Sequence, residues 1–87
     1  LKSEARPYFE SKLFEIKSEY ENLIKELEWN QMIFNAELNF NPIIGKDYYL
    51  YSKGTTTFLS IINPSEWKMI CLGTFNLSSN NSWKKVN

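Results

Sequence analysis

Chemistry in a chain of 87 residues rests on few side chains, and here the most versatile one is missing: there is no histidine. That removes Ser-His and Cys-His nucleophile pairs and histidine acid-base catalysis. A lone cysteine, Cys71, cannot build a zinc-type site. Residues 45–87 hold two carboxylates, Asp47 and Glu66. A hydrolytic pair would need both in one cleft flanking a substrate, whereas Asp47 is placed to open a strand and Glu66 to cap a turn. The three glycines stand isolated at 45, 54 and 73, so neither a Walker-type phosphate loop nor a dinucleotide fingerprint is present. The expectation is a protein that is not an enzyme and takes no metal or cofactor.

What remains for function is aromatic, at 16% of the chain. Tyr49 and Tyr51 alternate onto one face of a strand. With Trp83 they form the expected partner-binding patch, because tyrosine and tryptophan join an apolar body to a polar tip. The alternative is single-stranded nucleic-acid binding, with the tyrosines as stacking platforms and Lys46, Lys53, Lys68, Lys84 and Lys85 meeting phosphates. Charge disfavours it. The net charge is zero; residues 1–44 carry five bases and eight acids, and residues 45–87 five bases and two acids, which falls short of a basic stripe.

These side chains need elements to position them. Residues 8–38 contain no glycine or proline and are rich in Glu, Lys, Leu and Ile, which predicts one long helix, with Pro7 in its first turn. Phe9, Leu13, Ile16, Tyr20, Leu23, Leu27, Asn30 and Phe34 recur at steps of four and three, a narrow heptad seam with one Asn in it. From Trp29 to Phe40 apolar residues fall on several sides, which predicts wider burial against a sheet. About thirty helical residues at 1.5 Å span roughly 45 Å, whereas strands of about seven cover some 23 Å. The helix must therefore overshoot the sheet. An exposed seam is an aggregation hazard, so Phe9, Leu13, Ile16, Tyr20, Leu23 and Leu27 are expected to self-associate as a homodimer, with a helix from upstream or from another protein as the second choice.

Asn39, Asn41 and Pro42 are expected to end the helix. Strand-like runs follow at 47–53, 55–62 and 69–77, with Gly54 supplying the positive φ of a short hairpin turn with a bulge and Gly73 marking a bulge or a close approach. Asn63-Pro64-Ser65-Glu66-Trp67 combines a cap residue, a proline at the first helical position and an acid three after the cap, which predicts one helical turn at 64–67. The fold class expected is α+β in a single domain, 1–87: a long N-terminal helix on a three-stranded antiparallel meander (sheet about 46–77), then a C-terminal tail, 78–87, from which Trp83 folds back. No run reaches the roughly 18 apolar residues of a membrane span and no signal segment opens the chain. The single cysteine excludes an internal disulfide. A cytoplasmic protein with no membrane contact is expected.

Gly45, Tyr48 through Tyr51, the run Phe58-Leu59-Ser60-Ile61-Ile62 with Pro64 and Glu66-Trp67, then Leu72-Gly73, Phe75, Leu77 and Trp83, resemble the domain of unknown function family 2452. That family occurs in bacteria, notably Bacteroidetes, and in animals, where the human member is the chromosome 1 open reading frame 50 product. Glu19-Tyr20-Glu21 and the stretch from Trp29-Asn30 to Phe40 resemble its bacterial branch. The resemblance implies an intracellular bacterial protein and brings no activity, cofactor or substrate with it. Bacterial members carry an extended segment ahead of the helix. This chain opens at Leu1 without it, so a function seated there would leave the chain as its scaffold.

Overall fold

Helix propensity accounts for the first element. In the computed structural model, which describes residues 2–87, a short 3-10 turn (Ser3–Ala5) runs directly into helix α1 (Arg6–Phe34), with Pro7 in its first turn. At 1.5 Å per residue its 29 residues measure about 43 Å. The described residues extend 59 × 27 × 22 Å, a long rod with a small sheet at one end.

The helix stops four residues short of the expected 38, for a reason no local signal announces. Asn35 caps it, its N–H reaching the carbonyl of Gln31 at 3.1 Å, and the chain then straightens. The Glu37 N–H donates to the Thr57 carbonyl (2.9 Å), and the Leu59 N–H donates to the Glu37 carbonyl (3.1 Å). These bonds occupy the free edge of a strand. Pairing two backbone groups that would otherwise go unpaired outweighs the few tenths of a kcal/mol per residue that favour continuing the helix.

The sheet has four antiparallel strands, not three: β1 (Asp47–Lys53), β2 (Thr56–Ser60), β3 (Ile70–Leu77) and β4 (Trp83–Lys85), in the order β2-β1-β3-β4. The additional strand is Trp83–Lys85, taken from the expected tail. It pairs Leu77 with Trp83 and Phe75 with Lys85, and its continuation holds on through Val86 N–H to Thr74 O (2.8 Å) and Thr74 N–H to Asn87 O (3.2 Å). A three-residue strand behind a Ser-Asn turn shows no alternating pattern of its own, so long-range pairing alone defines it.

The turns fall where expected. Gly54, at φ +64°, is the first residue of a two-residue hairpin between β1 and β2, whose register runs without the expected bulge. Between Gly73 and Cys71 the register of β3 against β1 slips by one residue, a bulge. Gly73 is also a close approach, since a Cβ there would lie 3.1 Å from Phe75 Cε2 and 3.2 Å from the Asn87 carbonyl oxygen. The predicted helical turn is a 3-10 turn, Pro64–Glu66, with Asn63 Oδ1 accepting from the Ser65 N–H at 3.0 Å.

One sheet face and the C-terminal end of α1 make the core. Tyr48, Leu50, Leu59, Phe75 and Ile33 are buried, with Trp29, Ala36, Phe40, Leu72 and Trp83 packed around them. Trp29 and Ile33, one turn apart, set the helix face that meets the sheet. The greasy stretch is thus only partly used: Met32, Phe34 and Leu38 stay exposed, Phe34 at 89%.

Candidate assembly surface

Most of the seam lies on the part of α1 that the sheet does not reach, and its last residues, Leu23 and Leu27, run beside the loop 80–82 between β3 and β4. Phe9, Leu13, Ile16, Tyr20, Leu23 and Leu27 each expose between 47% and 66% of their surface. At 3.6 residues per turn, the stripe sits roughly 120–160° around the axis from Ile33 and Trp29. The 4-3 spacing therefore builds a second apolar face, nearly opposite the one that makes the core. Its flanks are charged. Arg6 pairs with Glu10 (3.5 Å) and Lys12 with Glu15 (3.4 Å); pairs this exposed contribute well under 1 kcal/mol each and serve mainly to solvate the helix.

Asn30 ends this surface. Its place in the heptad suggested a polar seam residue, but the structure engages it within the chain. Its Oδ1 accepts from the Trp83 N–H (2.6 Å), and its Nδ2 donates to the Trp83 carbonyl (3.0 Å) and to the Glu26 carbonyl (2.7 Å). The side-chain amide acts like one residue of a further strand, satisfying the outward groups of β4. Beside it Lys84 Nζ meets Glu26 Oε1 at 2.6 Å, and Lys85 Nζ stands 4.4 Å from the centre of the Trp29 ring. Spacing could not have revealed this role, because it depends on a contact 53 residues away in the chain.

The three aromatics expected to form a partner patch do not converge. Tyr51 is fully buried, with Phe58 stacked on it (centroids 5.5 Å) and the Trp67 ring set edge-on at 4.9 Å; its hydroxyl donates to the Ile62 carbonyl at 2.5 Å. It presents no ring surface to a protein or to a base. Burial raises its phenol pKa above 10.0, and the nearby Trp67 indole N–H opposes that shift. Trp67 thus roofs the outer sheet face, and its Nε1 is buried without a hydrogen-bond partner.

Trp83 lies on the helix-side face, edge-on to Tyr48 at 5.9 Å. Tyr49 belongs to the opposite face, half-buried and in register with Ser60 and Thr74. The five lysines are dispersed too, Lys46 just before β1, Lys53 at its end, Lys68 after the 3-10 turn, and Lys84 and Lys85 engaged by Glu26 and Trp29.

Polar chemistry on the outer face is structural. Asp47 Oδ1 accepts from Asn76 Nδ2 at 2.8 Å, and Cys71 Sγ lies 3.6 Å from the Gly73 carbonyl oxygen. Among the described residues no group of three or more His, Cys, Asp or Glu side chains gathers in one place, and no helix is long and apolar enough to cross a membrane.

No curated protein and no solved structure matches the chain. One family model does, a protein of unknown function (DUF2452), over residues 10–87. That span takes in the whole sheet and the seam from Leu13 onward. The chain belongs to the DUF2452 family of proteins of unknown function.

Proposed function

We propose that this chain is a non-enzymatic assembly module that self-associates through the overhanging half of α1. One observation carries the reading: six large apolar side chains in unbroken 4-3 spacing stand exposed on a helix that already uses a different face to complete its own core. Soluble monomers rarely leave so long an apolar stripe uncovered. The dispersal of Tyr49, Tyr51 and Trp83 supports the helix over the sheet as the recognition element. The reading places the protein in the cytoplasm of a bacterium, supported by the likeness of Glu19-Tyr20-Glu21 and of Trp29 to Phe40 to the family's bacterial branch.

The test is sedimentation equilibrium of the chain beside the double variant Leu13→Asp, Leu23→Asp. The wild type is expected to be dimeric at micromolar concentration and the variant monomeric, with unchanged near-ultraviolet circular dichroism from the aromatic core. A wild type that stays monomeric up to hundreds of micromolar overturns the reading.

A further inference from the structure

The seam also specifies how two copies lie against each other. We infer that they pair antiparallel, with the two-fold axis level with Ser18. This rests on the self-association just proposed and adds orientation and register to it. In heptad terms Leu13, Tyr20 and Leu27 occupy a positions, and Phe9, Ile16 and Leu23 occupy d positions.

Antiparallel helices stack a against d. A single register, the one centred on Ser18, matches all six residues at once: Leu13 with Leu23 of the second copy, Tyr20 with Ile16, and Leu27 with Phe9, each layer formed twice. Every layer then contains at least one aliphatic residue. A parallel pair would set Tyr20 against Tyr20 and Phe9 against Phe9, so bulk would be matched with bulk where alternation of large and smaller groups packs better.

The flanking charges point the same way. Lys12, Glu19 and Glu26 are g residues, and Glu10, Lys17 and Ile24 are e residues. A parallel in-register pair brings Lys12 against Lys17 of the other copy, twice, with no opposite-charge pair to offset it. The antiparallel register brings Lys12 toward Glu26, whose carboxylate it would share with Lys84 of the same chain as Glu26, twice, and confines like charges to the axis, as one Lys17 pair and one Glu19 pair on opposite sides of the seam. Flanking charges of this kind decide orientation more than affinity.

Asn30 removes the remaining case for a parallel pair. A polar residue in a core position can fix register by pairing with its own equivalent in the other copy, but this amide, at the next d position, is occupied by the Trp83 backbone and the Glu26 carbonyl. The usable stripe therefore runs from Phe9 to Leu27, about 27 Å of helix, and is symmetric about Ser18. Its six residues, about half exposed and worth roughly 100 Å² each, bury about 1,200 Å² across two copies, the lower edge of the range for specific stable interfaces. Because the stripe turns away from Trp29 and Ile33, the two sheets lie at opposite ends of the pair, and the loop 80–82 between β3 and β4 borders the stripe beside Leu23 and Leu27.

The experiment is disulfide trapping in a Cys71→Ser background, which leaves introduced thiols as the sole ones. Chains carrying Leu13→Cys are mixed with tagged chains carrying Leu23→Cys and oxidised, while sedimentation follows the wild-type chain. The antiparallel register predicts that the mixed disulfide exceeds either self-disulfide by about tenfold, since the a–d layer brings only those two positions within bridging range. Self-disulfides of Leu13→Cys with little mixed product, or a dimeric wild type that traps neither, overturn the orientation or the register while leaving self-association standing. A monomeric wild type with no disulfide of either kind overturns both.

Discussion

Asn30 and Tyr51 show how far a side chain's type can stand from its role. Both were conspicuous: Asn30 as the polar member of an apolar seam, Tyr51 as one of two tyrosines alternating onto a strand face. Seam spacing was legible because it depends only on the period of α1. The occupation of Asn30 by Trp83 and the roofing of Tyr51 by Trp67 were not, because each depends on a loop or strand far along the chain. Asn30→Ala leaves the Trp83 N–H and carbonyl of β4 without their partner, so urea unfolding at fixed protein concentration should show a loss of about 1–3 kcal/mol, with dimerisation retained.

Tyr51→Phe removes the hydroxyl that donates to Ile62 and should cost about 1 kcal/mol at neutral pH. It should also change the alkaline limb. The folded-state pKa of Tyr51 is raised, so its contribution is intact below the unfolded value of 10.0 and fades as pH climbs from there through the folded value. Stability measured from pH 8 to 11 should accordingly fall less steeply in Tyr51→Phe than in the wild type. Equal slopes would show that Tyr51 ionises as readily in the folded protein as in the unfolded chain.

Among the elements, the helix end and the two sheet edges form one device. The segment after Phe34 covers the β2 edge with the Glu37 backbone, and a residue just before that end covers the β4 edge with the Asn30 amide. Exposed edges invite pairing with other chains, so covering both directs association away from the sheet and toward the helix. The cap turn at Asn63-Pro64 and the hairpin at Gly54 were readable because they are local chemistry; the helix stop at Phe34 and strand β4 arise from long-range backbone pairing. Glu37→Pro, which removes the N–H donated to Thr57, should cost about 1–3 kcal/mol. It should also speed hydrogen exchange at Leu59, whose N–H uses the Glu37 carbonyl. Unchanged exchange at Leu59 would mean that the edge pairing contributes little.

Over the whole molecule, composition sets the limits: no histidine and no glycine-rich loop. A domain this small sits near the lower limit for an independent core. Here the core occupies one end of a rod 59 Å long, while the other end displays an apolar stripe turned away from it. The α+β class and the overshooting helix followed from length and period alone. The four-strand sheet and the scattering of the expected aromatic patch required the three-dimensional arrangement. Burial of the stripe couples stability to association, so the apparent melting temperature should rise with protein concentration. The most direct measurement of the central claim is sedimentation equilibrium over a hundredfold range of concentration. A reversible monomer–dimer isotherm, abolished in Leu13→Asp, Leu23→Asp, is the predicted result; a single monomeric species throughout would contradict it.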